Sequence, residues 1–200
     1  MADPKLEQLR ARIDALDEQL QALLTERASC AKQIAEVKQD GGGEADFYRP
    51  EREAEVLRRV RQRNTGPLSD EEVVRLFREI MSACLALEQP LAVAYLGPEG
   101  TYTQAAAQKH FGHSAGLKPL AAIDEIFREV EAGSADYGIV PVENSNEGVV
   151  SHTLDMFMSS DLKVIAEVLL PVSHDLLNLS GQLSDIRQVV SHPQAIGQCR

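Results

Sequence analysis

The first forty residues carry an apolar repeat that predicts one long helix. Apolar residues recur in alternating steps of three and four, at Leu6, Leu9, Ile13, Leu16, Leu20, Leu23, Cys30, Ile34 and Val37. This spacing places them on one helical face, and the three glycines at 41–43 end the pattern. At about 1.5 Å per residue, such a helix is roughly 50 Å long. A small domain cannot bury so long a seam by itself, so the sequence predicts a partner chain.

Two further helices are predicted before residue 90. Pro50 suits the first position of a helix, which the Asn-Thr-Gly-Pro segment at 64–67 ends. A third helix begins at Ser69, where Ser69 and Glu72 form a capping box, and it closes at Pro90. Residues 1–90 therefore form an all-helical region.

Charged residues interrupt the apolar faces of these helices. Arg27 occupies a slot between Leu23 and Cys30 where the repeat calls for an apolar residue, and Glu88 lies beside the apolar stripe of the third helix. Burying a charge is costly unless it is paired, so these residues either form structural ion pairs or contact a ligand. For Arg27 the pattern alone leaves both interpretations open.

The helical geometry relates Arg27 to two other cations. Lys38 follows Arg27 by eleven residues, which puts the two side chains about 20° apart and roughly 16 Å apart along the axis. Leaning toward each other, they could hold one small dianion. Arg10 lies roughly 25 Å from Arg27 along the same axis, so it could join them only from an antiparallel partner helix. The arginines of the second helix, at 58, 59, 61 and 63, are more typical of a solvated face.

Composition excludes several classes of partner. The chain has 20 Lys+Arg against 31 Asp+Glu, a net charge of −11, which argues against nucleic acid. No apolar run approaches the roughly 18 residues of a membrane span. The three cysteines, Cys30, Cys84 and Cys199, are too widely spaced for a disulfide framework or a zinc site. With a charged N-terminus unlike a signal peptide, these features predict a cytoplasmic protein.

From residue 91 the pattern changes to alternating strands and helices. Strands are predicted at 91–97, 137–144, 163–172 and 186–193, and helices at 103–111, 123–133 and about 149–158, with another beginning at 194–199. Either Thr101 or Thr103 could cap the first of these helices. This alternation predicts an α/β region with a mostly parallel sheet, so the fold class of the whole chain is α plus α/β.

Three strand–helix junctions in this region carry polar residues, at 97–103, 143–148 and 191–198. Ligand sites of α/β sheets lie at such junctions. Taken singly, each junction is more typical of turn chemistry than of a site. His110 and His113 form another polar pair, but no third ligand is placed nearby, so we expect a solvated loop rather than a metal site.

Specific segments resemble a known pair of enzyme families. The segment at 9–38, followed by YRPERE and LFREIMSACLALEQ, resembles the all-helical class of chorismate mutase, in particular the mutase domain of the bacterial bifunctional P-protein. The segments GPEGTYTQAA, PVENSNEGVV and SHPQAIGQC resemble, in that order, the signatures of prephenate dehydratase. The first resemblance covers roughly 5–90 and the second covers 91–200.

The mutase resemblance implies an intertwined homodimer that holds chorismate between helices. In that dimer Arg10 of one chain would reach one substrate carboxylate in the site of the partner chain, and Arg27 would bind the other carboxylate, with Arg52 supporting this carboxylate site. Lys38 and Glu88 would contact the ether oxygen. Glu53 would bind the ring hydroxyl, and Cys84 would line the pocket. Other family members have Gln in place of Glu88. Because an ionised carboxylate cannot donate a hydrogen bond, we expect burial to raise the pKa of Glu88 and keep it protonated.

The implied reaction, chorismate to prephenate, is pericyclic and needs no nucleophile, metal or cofactor. The site must fold a diacid into a chair-like geometry and stabilise the negative charge that develops on the ether oxygen. Arginine forks suit carboxylates because they bind bidentately. Lys38 supplies a cationic donor to the oxygen.

The dehydratase resemblance implies two α/β lobes like those of a periplasmic binding protein, with prephenate in the cleft. The positions that match the family's site residues are Thr101, Glu143, Asn144, Ser145, Ser191 and Gln198. Expelling hydroxide and carbon dioxide to give phenylpyruvate requires an acid. In the family a Thr-Arg-Phe motif supplies it, and the printed sequence has neither that motif nor the ACT domain. We therefore expect a dehydratase domain cut short in its second lobe and little or no dehydratase activity.

The sequence thus predicts a mutase domain at 1–90 and an incomplete dehydratase domain at 91–200, acting in phenylalanine biosynthesis. An alternative is that 91–200 form a binding module that senses prephenate or an aromatic acid without chemistry. A coiled-coil dimerisation segment is a further alternative for the first half, but Arg27 and Glu88 are poor choices for such a seam.

Overall fold

The computed structural model describes residues 3–40, 48–144, 148–191 and 195–196. The helical part has three helices, α1 Pro4–Asp40, α2 Pro50–Arg63 and α3 Asp70–Glu88. The first 37-residue helix and the start of α2 at Pro50 confirm the predictions from the apolar repeat and from proline at the first position. Ser69 caps α3 by accepting a hydrogen bond from the backbone N–H of Glu72 at 3.2 Å.

Helix α3 packs against both other helices. The small residues Ala31 and Ala35, from the second half of α1, are buried, as are Leu57 and Val60 of α2. The residues of the predicted seam are different: Leu6, Leu9, Ile13, Leu16, Leu20 and Leu23 are 41–62 % exposed, and Ile34 and Val37 are 50 % and 72 % exposed. The predicted seam is therefore left largely uncovered by the described residues of this chain.

The α/β part is built on a small parallel sheet. Its elements are β1 Ala92–Leu96, α4 Tyr102–Phe111, β2 Gly116–Leu120, α5 Ile123–Glu131, β3 Tyr137–Ile139, β4 Glu143–Asn144, β5 Gly148–Val149 and α6 Ser151–Ser159. The strand order is β2-β1-β3, and both pairings with β1 are parallel, which confirms the prediction from the alternating pattern. A separate antiparallel pair joins β4 to β5.

The central strand β1 has a helix on each side. Val93 packs into a cluster with Ala107 and Phe111 of α4. Its neighbour Ala94 packs with Ile126 of α5. Because successive side chains of a strand point to opposite faces, these two clusters form the two layers of the α/β core.

Several predicted strands differ from the structure. The segment 137–144 is not one buried strand: β3 is half-buried and ends at Ile139, and β4 begins only at Glu143. Pro141 lies between them, and proline lacks the N–H that a continuous ladder needs. Strand β2 was not predicted. It contains Pro119 and lies at the edge of the sheet, where proline is tolerated.

The segments 163–172 and 186–191 also lack the predicted strands. Their apolar side chains are largely exposed, Leu169 and Val190 among them. A strand is stabilised by hydrogen bonds to a neighbour, and none of the described strands pairs with these segments. Residues 192–193 lie outside the described residues, and the predicted helix at 194–199 is described only at 195–196, which are helical.

Within the described ranges, no helix is both long enough and apolar enough to cross a membrane.

Candidate functional site

Two cations of α1 and one carboxylate of α3 come together in the helical part. The Nη1 atom of Arg27 donates a hydrogen bond to the carbonyl oxygen of Ile80 at 3.4 Å. Lys38 and Arg27 both lie close enough to Glu88 to act on its pKa. We call Arg27, Lys38 and Glu88 the α1–α3 cluster. It unites the two residues that interrupted the apolar pattern with the lysine placed beside Arg27 by helical geometry.

The electrostatics of Glu88 follow from its half-buried position. Burial raises the pKa of Glu88 above its usual value, and the charges of Lys38 and Arg27 act in the opposite direction without cancelling the effect. The direction of this shift agrees with the expectation from the sequence. The cluster therefore combines two cations with a carboxyl group whose pKa is raised.

Cys84 lies one turn before Glu88 on α3 and is buried as a free thiol. Residues 80, 84 and 88 recur every four positions, so they share the face of α3 that meets α1. The predicted role of Cys84 as a small packing residue beside the cluster is compatible with this placement.

The other predicted mutase residues are exposed or have other partners. Arg10 is exposed on α1, about 25 Å from Arg27 along the helix axis. Arg52 is exposed, and its Nη1 atom contacts Glu55 Oε2 at 2.8 Å. The Oε1 atom of Glu53 lies 3.4 Å from Nε of Arg78. As expected, the arginines of α2 at 58, 59, 61 and 63 are exposed.

Two neighbours of Glu53 were missed by the sequence reasoning. Arg78 pairs with Glu53, and Tyr48 lies close enough to act on the pKa of the same carboxyl group. Tyr48 stands in the YRPERE segment, so proximity in sequence was a usable signal. Arg78 gave no comparable signal, because an arginine on the polar side of α3 is typical of a solvated residue.

In the α/β part, hydroxyl groups gather where β1 ends. Thr101 caps α4 by accepting a hydrogen bond from the N–H of Gln104 at 3.4 Å. The hydroxyls of Thr101 and Thr103 donate to the carbonyl oxygen of Leu96, at 3.1 and 2.6 Å. Of the two predicted caps, Thr101 is the one that bonds to the helix N-terminus.

Glu143 and Asn144 form β4, shortly after β3 ends. Since β1 and β3 are parallel neighbours, the β1–α4 junction and β4 both follow the carboxyl edge of the sheet. The topology thus brings two of the three predicted junctions toward one edge. Of the remaining residues, Ser191 is exposed in no helix or strand, while Ser145 and Gln198 lie outside the described residues.

The two histidines have protein partners. His110 belongs to the last turn of α4 rather than to a solvated loop, and it is half-buried with its Nε2 atom 3.3 Å from the Tyr48 hydroxyl. His113 is exposed, and its Nδ1 atom lies 2.8 Å from Oε1 of Glu79. Over the described ranges, no group of three or more His, Cys, Asp or Glu side chains could hold a metal ion.

Comparison with known proteins matches both parts of the chain. The family model "Chorismate mutase type II" matches residues 9–89, and the family model "Prephenate dehydratase" matches residues 93–200. The second match covers more than half of the chain.

Curated relatives span both matches. A bifunctional chorismate mutase/prephenate dehydratase of Pseudomonas aeruginosa is 58% identical over 205 residues, which cover 100% of this chain and 56% of the relative. Proteins of the same name from Neisseria gonorrhoeae and Escherichia coli K12 are 50% and 33% identical, covering 95% and 96% of this chain and 52% and 54% of the relatives. The chain thus spans about half the length of the relatives it matches.

A solved chorismate mutase (Form II) from Thermus thermophilus is 33% identical, covering 42% of this chain and 94% of that chain, with a TM-score of 0.40, too low to support an argument about the fold. The family models and the relatives nevertheless agree on both parts and on their order. The chain belongs to the family of bifunctional proteins in which a chorismate mutase region precedes a prephenate dehydratase region.

Proposed function

We propose that the helical part rearranges chorismate to prephenate at the α1–α3 cluster. The observation that carries the proposal is the approach of Arg27 and Lys38 of α1 to the half-buried Glu88 of α3. Chorismate is a dianion whose ether bond breaks as a new carbon–carbon bond forms. Two cations and a protonated carboxyl group match its carboxylate and its ether oxygen.

The chemistry asked of these residues is electrostatic. Arg27 binds a carboxylate with its planar fork and holds the substrate in the reactive conformation. Lys38 and protonated Glu88 donate hydrogen bonds to the ether oxygen, where negative charge grows in the transition state. No group has to exchange a bond with the substrate, so the rate depends on preorganised donors.

The proposed site is completed by a second copy of the chain. The first half of α1 exposes its leucines, and Arg10 on that half lies too far from Arg27 to reach the same ligand. An intertwined homodimer would bury this seam and carry Arg10 of one protomer to the cluster of its partner. The remaining roles rest on the family resemblance: Arg52 beside a carboxylate, Glu53 at the ring hydroxyl and Cys84 lining the pocket.

For the α/β part we propose prephenate binding at the carboxyl edge of the sheet, in a fold of the two-lobed periplasmic-binding-protein type. Thr101, Glu143 and Asn144 follow that edge, and the family resemblance adds Ser145, Ser191 and Gln198. The full dehydratase reaction, in phenylalanine synthesis, also needs an acid for the leaving hydroxyl. We assign residues 1–90 to the mutase domain and 91–200 to the dehydratase domain.

Incubating the chain with chorismate tests the mutase proposal. We expect chorismate to be consumed and prephenate to form. Lys38→Gln should lower kcat/KM by about 100-fold or more, since it removes a cationic donor to the transition state. The matched control is Lys32→Gln, an exposed lysine on the same helix, which should keep wild-type activity. Unconsumed chorismate would refute the mutase proposal.

A further inference from the structure

The C-terminal end of α4 docks directly on α3. Glu79 Oε1 lies 2.8 Å from Nδ1 of His113, and the N–H of His113 donates to Oε2 of Glu79 at 3.1 Å. The N–H of Ser114 donates to Oγ of Ser82 at 3.3 Å. A Cβ atom at Gly112 would come within 2.4 Å of Cβ of Ser82, so the two backbones approach as closely as only glycine allows. We call this contact the α3–α4 seam.

A residue of the helical part completes the core of the α/β part. Tyr48, two residues before α2, is 5 % exposed and belongs to the same apolar cluster as Val93 and Phe111. Its ring centroid lies 5.6 Å from that of Phe111 and 5.3 Å from that of Tyr137. The chain entering α2 is therefore anchored in the second part of the molecule.

Arg78 joins the seam to the first turn of α2. Its Nη1 atom donates to the carbonyl oxygen of Lys109, near the end of α4, at 3.1 Å. Its Nε atom lies 3.4 Å from Oε1 of Glu53, and the two side chains are only 26 % and 15 % exposed. Burial raises the pKa of Glu53, while Arg78 and Tyr48 act in the opposite direction. The Tyr48 hydroxyl itself lies 3.3 Å from Nε2 of His110, in the last turn of α4.

The α3–α4 seam and the α1–α3 cluster use different faces of α3. Ser82 and Arg78 precede Glu88 by six and ten residues, which places them about 120° and about 80° from it around the helix. Helix α3 thus contacts the end of α4 on one side and α1 on another. The first turn of α2, which Arg78 contacts through Glu53, also carries Arg52.

We propose that Arg78 and Tyr48 are positioning residues that fix the first turn of α2 against the α/β part. They couple the α/β part to substrate binding in the helical part. This coupling rests on the proposed mutase function, whereas the docking of the two parts stands on the contacts alone. A looser α2 would weaken the hold of Arg52 on a carboxylate equally in the ground and transition states. Such a change raises KM and leaves kcat unchanged.

The test measures mutase kinetics and amide hydrogen exchange on the full 200-residue chain. Arg78→Met should raise KM for chorismate by about tenfold with kcat nearly unchanged, and should speed exchange at 50–54 and 109–114. Arg78→Lys should restore part of the loss. The matched control, Arg61→Met, removes another ion pair between α2 and α3, the exposed pair of Arg61 with Glu71 at 3.9 Å, and should change neither quantity.

Tyr48→Phe is the second variant, because it removes only the hydroxyl and keeps the ring in the core. It should speed exchange in the same two segments even where Arg78→Met fails to fold. If the wild-type chain does not consume chorismate, the proposed function fails. The amide hydrogen exchange of the variants then tests by itself whether Arg78 and Tyr48 hold the two parts together. Wild-type KM and wild-type exchange in both Arg78→Met and Tyr48→Phe would overturn the proposal.

Discussion

The surroundings of Glu88 suggest a chemical role for its side chain. A glutamate beside an apolar stripe loses hydration, and burial raises the pKa of its carboxyl group although Lys38 and Arg27 oppose the shift. An ionised Glu88 could only accept hydrogen bonds. In its protonated form Glu88 can donate a hydrogen bond to an ether oxygen, so the mutase activity should depend on pH.

The mutase rate of the wild-type chain should fall as pH rises through the pKa of Glu88, which lies above its ordinary value of 4.5. Glu88→Gln should keep its rate to higher pH, because an amide donates a hydrogen bond without titrating. Profiles of kcat/KM from about pH 5 to 9 measure both. Glu36→Gln, an exposed position on α1, is the control and should keep the wild-type profile. A flat wild-type profile would count against a protonated Glu88.

Individual site residues were predictable where a charge broke an apolar pattern. Arg27 and Glu88 stood out for that reason, and the structure brings them together. Arg78 and Tyr48 could not be found in the same way. Arg78 follows the ordinary polar side of α3, and its contacts depend on where α4 ends in space, which no local pattern encodes.

At the scale of elements, α4 illustrates a helix whose start is fixed by one side chain. The Thr101 hydroxyl accepts a hydrogen bond from the backbone N–H of Gln104 and donates one to the carbonyl oxygen of Leu96. One side chain thus links the end of β1 to the first turn of α4. Replacing it by alanine leaves helix N–H groups without a partner. The α/β part should lose stability as a result.

Thr101→Ala should lower the free energy of unfolding by about 1 kcal/mol. Chemical denaturation followed by circular dichroism measures the change. Thr101→Ser keeps the capping oxygen and should retain most of the wild-type stability. Equal midpoints for the alanine variant and the wild type would show that the cap does not hold the start of α4.

The elements differ in how far the sequence determined them. Helices α1, α2 and α3 were predictable because their apolar spacing and caps are local signals. The strands expected at 163–172 and 186–193 had equally apolar sequences, but a strand also needs a neighbour to bond with. The described residues provide none, so propensity alone was insufficient. Edge strand β2, which contains a proline, was not predicted.

At the scale of the whole molecule, α1 exposes a long apolar stripe. The leucines of its first half are exposed over several turns, and Ile34 and Val37 continue the exposed stripe in its second half. Such a stripe on a long helix favours association with a second helix of the same kind. The proposed homodimer therefore draws support from burial as well as from the distance between Arg10 and Arg27.

Leu20→Glu should weaken this dimer, because it places a charge in the middle of the stripe. We expect a shift toward monomer in analytical ultracentrifugation, by about tenfold or more in the dissociation constant. The neighbouring exposed substitution Gln19→Glu adds the same charge outside the stripe and should leave the dimer intact. A chain that is monomeric without any substitution would contradict the proposed assembly.

The central claim is that one chorismate site needs residues from two chains, and mixing two inactive variants tests it most directly. Arg10→Ala and Arg27→Ala should each abolish most mutase activity. When they are unfolded together and refolded as a mixture, about half of the dimers carry one chain of each kind. Each such dimer has one intact site, so we predict recovery of about a quarter of wild-type activity. No recovery, with mixed dimers present, would contradict a site shared between chains.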